Sequence, residues 1–150
     1  MTIAIEISQV IAALTQLQGR CENMQPVFDG IGQRIADNIR LNLGVGLDSW
    51  GNPFEPLKKP RKTDNGFGKG VPLNDTRQHI FNKITFNPGH DGVEIGILEP
   101  TPIGMTHQFG SEKKNIPARP FMPIVGNQVD MPSDWNAEIM RIIDEYFADV

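Results

Sequence analysis

Three histidines and one cysteine are the side chains in this 150-residue sequence best suited to acid–base, nucleophilic or metal chemistry. His79, His90 and His107 each lack another His, a Cys or a carboxylate at zinc-ligand spacing. His90 precedes Asp91 in Pro88-Gly89-His90-Asp91-Gly92, a composition that makes turns for conformational reasons. Cys21 lies between Arg20 and Glu22 with no motif around it and reads as an inert small residue near a helix end. Alone it forms no intramolecular disulfide, which fits a reducing cytosol. Gly66-Phe67-Gly68-Lys69-Gly70 superficially suggests a phosphate loop. Such a loop needs GxxxxGK[ST] opening a helix whose first N–H groups bind the phosphates. Here Val71 and Pro72 follow Gly70, and Pro72 has no N–H to give, so nucleotide binding is set aside. No cofactor and no metal are expected.

The densest pattern is His107-Gln108-Phe109-Gly110, followed seven residues later by Pro117-Ala118-Arg119-Pro120-Phe121. These are turn and packing residues around an exposed loop. The His107 side chain is expected to fix the loop by hydrogen bonding, with Gln108 as a candidate partner. An enzymatic reading pairs His107 with a carboxylate such as Glu112. Spacing supplies neither a positioned nucleophile nor a substrate pocket, so no enzyme is expected. Pro117 and Pro120 bias the backbone toward extended geometry. On that rail Ala118 and Phe121 can face one way while Arg119 projects the other, a clamping or assembly device. The alternative is a loop returning to the core with Phe121 as its plug. On the assembly reading, Arg119→Ala spares the fold and blocks joining to neighbours.

HQFG followed by IPARPF resembles the signature of the phage virion morphogenesis family, the tail-completion proteins of Mu-like and related tailed phages. Trp50-Gly51-Asn52-Pro53-Phe54-Glu55-Pro56-Leu57 resembles that family's DG-x-P-W-x-P-L segment. A basic run follows it, Lys58-Lys59-Pro60-Arg61-Lys62, as in relatives. Leu73-Asn74-Asp75-Thr76 resembles the family's L-x-x-T-G-x-L entry to its sheet. The likeness covers roughly residues 25 to 145. Two positions depart from it: Arg77 stands where glycine usually follows the threonine, and Ile103 where an aromatic residue often precedes the histidine. The resemblance implies a structural virion protein, a tail-completion or neck component needed for stable head–tail joining. Its implied partners are neighbouring tail and head-connector proteins, with copies forming a ring, a hexamer by analogy. Mobile interface loops delay assembly, so the free protein is expected as a monomer. Its implied location is the virion, and the host cytoplasm during assembly. His107, Gln108, Phe109, Gly110, Arg119 and Phe121 are the candidate interface residues, with Lys58, Lys59, Arg61 and Lys62 from the basic loop.

Net charge is −4, so the chain as a whole does not attract nucleic acid. The charge is uneven, however. Lys58, Lys59, Arg61, Lys62 and Lys69 crowd one segment, and acids crowd the C-terminal one. Copies could meet head to tail, or both could be solvated faces that never meet. A second reading makes the chain a DNA-contacting module, since phosphate contacts need no sequence code. No apolar run approaches the ~20 residues of a membrane helix. No basic region precedes an apolar stretch at the N-terminus, so no secretory signal is expected.

The length fits one domain over residues 1 to 150. Ile3, Ile5 and Ile7 alternate as a short strand. Ser8 then caps a helix ended by Gly19, and Pro26 opens a longer helix ended by Gly44 and Gly46. Residues 44 to 72 form a long irregular segment, mobile in its basic part. Lys83 to Phe86 and Val93 to Ile97 form a β-hairpin, after a helical turn in 77 to 81. A short helix over 103 to 109, an extended edge over 116 to 121 and a final helix from Pro132 or Ser133 complete the order. The expected fold class is α+β: an antiparallel sheet of hairpin and edge strands, packed by two N-terminal helices and a C-terminal helix, with long loops.

Overall fold

The computed structural model describes residues 7–59, 61, 70–99 and 102–148. In chain order these form α1 (Ile7–Glu22), α2 (Gln25–Gly44), a 3-10 turn (Phe81–Lys83), β1 (Ile84–Pro88), β2 (Val93–Ile97), α3 (Pro102–Phe109), β3 (Ile124–Val125), β4 (Gln128–Val129) and α4 (Ser133–Phe147). The fold is α+β. The 1 to 6 part of the expected strand, Lys62, and the 66 to 69 part of the glycine-rich loop lie outside the described residues. Ile7, assigned to that strand from its alternation, is the first residue of α1.

α2 is the spine. Val27, Ile31, Ile35, Ile39 and Leu43 recur at helical spacing and are all buried, each full burial contributing about 1.5–3 kcal/mol. Pro26 sits in its first turn, where a missing N–H costs little. One side of α2 lies on the β1–β2 hairpin. That hairpin is antiparallel, with Ile84 opposite Ile97, Phe86 opposite Ile95 and Pro88 opposite Val93. The approach is closest at Gly32, where a Cβ would stand 2.4 Å from the Phe86 ring and 2.9 Å from Val93. α4 covers another side of the spine, antiparallel to it. Asn38 donates to Glu138 at 2.8 Å, Gly30 faces Ile142, and Tyr146 reaches back to donate to the Asn23 carbonyl. Trp135 is buried, and Ile139, Ile142, Ile143 and Tyr146 pack on the same core.

α1 is attached differently. Arg20 lies 5.6 Å from the Tyr146 ring centroid and donates to the Tyr146 carbonyl. Beyond that last turn, Ile11, Leu14 and Leu17 are 57, 60 and 38 % exposed. Gly19 does not end this helix, as its position suggested. The Asn23 amide still donates back to Gly19 and Arg20, and the Arg20–Tyr146 contact offsets the ~1 kcal/mol a helical glycine costs.

Two further expectations change. Residues 116 to 121 join neither two-stranded sheet. Pro117 and Pro120 have no N–H for a ladder, and the Arg119 amide goes to the His107 carbonyl at 2.7 Å. A second hairpin, β3–β4, turns instead at Gly126 and Asn127, with Ile124 opposite Val129 and Gly126 at φ +63°. That two-residue glycine-containing turn between apolar residues is a hairpin signal the sequence carried.

Candidate functional site

Gly110 is the pivot on which the two sequence blocks meet. Its φ is +77°, and a Cβ there would lie 2.8 Å from the Ala118 nitrogen and 3.0 Å from the Ile116 oxygen. Only glycine fits so close a backbone crossing. Just beyond it, Ser111 and Ile116 exchange both backbone hydrogen bonds, at 2.8 and 2.9 Å. Just before it, His107 and Arg119 are joined backbone to backbone. The HQFG and PARPF blocks are therefore two sides of one stitched loop.

Side chains then tie this loop together and to the 49–56 stretch. Gln108 is buried and acts like a piece of strand. Its amide nitrogen donates to the Met122 carbonyl at 3.1 Å, and its oxygen accepts from the Met122 amide at 2.9 Å. Phe121 is 3 % exposed, and its carbonyl accepts from the Ser49 hydroxyl at 2.9 Å. Arg119 does not project outward on its rail. It is 6 % exposed and turns inward with Phe121, while Ala118 faces solvent. Its Nε donates to the Glu55 carbonyl at 2.7 Å and its Nη2 to the Pro56 carbonyl at 3.1 Å. The clamp thus closes inside the chain, on the Trp50–Leu57 segment. That segment is itself braced by Asp48, whose Oδ1 accepts from the amides of Trp50 and Asn52.

The Leu73–Thr76 segment completes the cluster. Asn74 is fully buried and donates to the carbonyls of Leu43 and Pro72 at 2.7 and 2.9 Å. Arg77 donates to Asn74 at 3.1 Å and lies 4.1 Å from the Phe81 ring centroid. Its φ is +61°, which explains why glycine suits this position: an ordinary residue there costs roughly 1–2 kcal/mol. Leu57, Arg61, Asp75, Arg77, His107 and Arg119 are among the residues lining a hollow of about 370 Å³ between these segments. Two atoms at it are shut from solvent without a hydrogen bond, Asp75 Oδ1 and His107 Nδ1. The expected loop-fixing bond of the His107 imidazole is therefore absent at Nδ1; the Gln108 side chain and the His107 carbonyl do that work. Burial, and then the Arg119 charge, push the His107 imidazole below its ordinary value. Arg119 is also lowered, first by burial and then by Arg61, with Glu55 opposing. Glu112, the carboxylate an enzymatic reading needs, lines a different hollow from His107.

Phe109, Lys58 and Lys59 are exposed. Lys58 donates to the Asn115 side chain at 3.3 Å, which sets the basic segment against the 111–116 turn. Lys113 and Lys114 of that turn are exposed too.

The model of the phage virion morphogenesis family matches residues 5–147. The chain belongs to that family. No curated protein and no solved structure matches it. A virion morphogenesis protein has a structural role in building the phage particle. The segments that resemble the family's (Trp50–Leu57, Leu73–Thr76, His107–Gly110 and Ile116–Phe121) converge on one loop cluster, held by the hydrogen bonds of Gln108, Arg119 and Asn74. Among the described residues, no helix of this virion morphogenesis protein is long and apolar enough to cross a membrane.

Proposed function

We propose that this protein is a tail-completion component, acting at the head-proximal end of the tail to make head–tail joining stable. It works by association with neighbouring tail and head-connector proteins, and no bond is made or broken. Copies assemble in the particle as a ring, six being the number implied by likeness to related neck components. The observation that carries the reading is the convergence of the segments resembling the family's on a braced loop cluster that bears an exposed Phe109, 49 % accessible. Ile11 and Leu14 of α1 are further exposed apolar side chains. The test is electron microscopy of particles made without the protein. Full heads and free tails accumulating separately are expected, and normal virions would end the proposal.

The exposed Lys58 and Lys59, with Lys58 bonded to Asn115 of a turn that also carries the exposed Lys113 and Lys114, favour a second reading, in which these lysines contact DNA phosphates. It requires duplex binding that falls steeply with salt and is lost when these lysines become glutamine. Absence of binding at low salt removes it.

A further inference from the structure

We propose that the open edge of β2 takes an added strand, residues 2–6 of a second copy of this chain. This rests on the ring reading above and names the contact between neighbouring copies.

The first hairpin has one closed edge and one open one. Ladder hydrogen bonds alternate along an antiparallel pair. The Gly89 amide donates to the Gly92 carbonyl at 2.8 Å, so in the same phase Asn87 bonds to Glu94 and Thr85 to Gly96. The main-chain groups of Ile84, Phe86 and Pro88 then point outward on the β1 side, and those of Val93, Ile95 and Ile97 on the β2 side. The β1 side is blocked: the Ile84 amide donates to the Phe81 carbonyl, the Ile84 carbonyl accepts from Arg40, and Pro88 has no N–H. Among the described residues, nothing bonds to the outward amides and carbonyls of Val93, Ile95 and Ile97. α2 lies against one face of this strand at Val93 and Met122 against the other at Gly96, which leaves the edge itself uncovered. Such an edge is a template for another strand.

The sequence carries a segment that fits. Val93, Ile95 and Ile97 turn half-buried side chains to the core, while Glu94 faces solvent. Ile3 and Ile5, alternating with Ala4 and Glu6, repeat that pattern. Laid along β2, the two isoleucines extend the apolar face that α2 covers, and Glu6 stays in water. The placement of α1 assigns the segment to a neighbour. Arg20 anchors this helix on Tyr146, while its side chains from Ile11 to Gln18 are exposed. At 1.5 Å per residue, Ile7 stands roughly 20 Å along the axis from that anchor, held off the chain's own core. A segment handed from each copy to the next makes a heterologous contact, the kind that closes into rings.

The test is amide hydrogen exchange on an isotope-labelled Ile5→Asp chain, whose β2 is intact and whose own segment is disabled, with unlabelled chain added up to about 1 mM. Unlabelled wild type should slow exchange at Val93, Ile95 and Ile97 by about tenfold or more. Unlabelled Ile5→Asp should leave it unchanged, and Ile3→Asp should behave as Ile5→Asp does. Thermal melts of both variants in dilute solution should match the wild type. The proposal is overturned by no slowing, or by equal slowing with wild type and Ile5→Asp, which marks a contact through another face. It is overturned equally by a dilute wild-type chain whose β2 amides are already protected, or whose melt these substitutions lower, since either places the segment in the chain's own fold. Particles that require the protein yet join heads to tails normally with Ile5→Asp sink only this inference. Normal virions without the protein sink the assembly reading instead.

Discussion

The Arg119 amide donates to the His107 carbonyl at 2.7 Å, and the Arg119 charge helps hold the His107 imidazole below its ordinary value of 6.5. One residue thus fixes the histidine's backbone and biases its proton. The folded state binds a proton at His107 less readily than the unfolded state does. Its stabilising contribution is therefore complete above the unfolded value and is lost as pH falls from about 6.5 toward the folded one. Melting temperatures measured from pH 7.5 to 5 (about the range in which histidine titrates) should fall, and His107→Gln should flatten that part of the curve.

Arg119→Ala should destabilise the chain rather than spare it. It removes two charge-assisted hydrogen bonds and leaves the Glu55 and Pro56 carbonyls without that donor, at a cost of about 3 kcal/mol or more. Arg119→Lys should recover only part, because an ammonium lacks the planar fork. Urea denaturation of the three proteins decides it. A folded Arg119→Ala chain of unchanged stability would mean the inward clamp is not what this residue provides.

Gly32→Ala should separate α2 from the hairpin. The added methyl needs space held by the Phe86 ring at 2.4 Å, and overpacking of this kind costs roughly 1–3 kcal/mol. Combining it with Phe86→Leu should cost less than the sum of the two changes, measurable as a double-mutant cycle.

Gln108→Ala should cost about 1–3 kcal/mol, since the Met122 amide and carbonyl lose their side-chain partner at a buried site. Hydrogen exchange should speed at Met122 while the β1–β2 amides keep their protection.

Leu14→Asp should change the melting point of the isolated protein little, by about 0.5 kcal/mol or less in stability, because the residue is exposed there. Its incorporation into particles should fall if the α1 face meets a neighbour. Wild-type incorporation would show that this face stays open in the assembly.

The regular elements were legible where one period dominated. Val27 to Leu43 and Trp135 to Tyr146 repeat at helical spacing, and Val93 to Ile97 alternates, so α2, α4 and the first hairpin follow from side-chain direction alone. Gly19 misled because a glycine's cost is small beside a tertiary contact, and the Arg20–Tyr146 contact spans 126 residues. The prolines around Arg119 bias the backbone toward extended geometry. They do not decide which alternate residue faces inward. That is set by the Glu55 and Pro56 carbonyls, 64 and 63 residues away, and backbone acceptors leave no mark in a local pattern. Asp75 and Arg77 were visible as letters in a motif, but their shared hollow with His107 exists only once three loops have met.

Because the acceptors for Arg119 belong to the main chain, its docking place is not encoded by any particular side chain. Positions 55 and 56 can change identity while the path of the backbone keeps presenting the same two oxygens. The guanidinium has no such latitude. Mutational tolerance across this contact is therefore lopsided, with one partner open to drift and the other confined to a single amino acid.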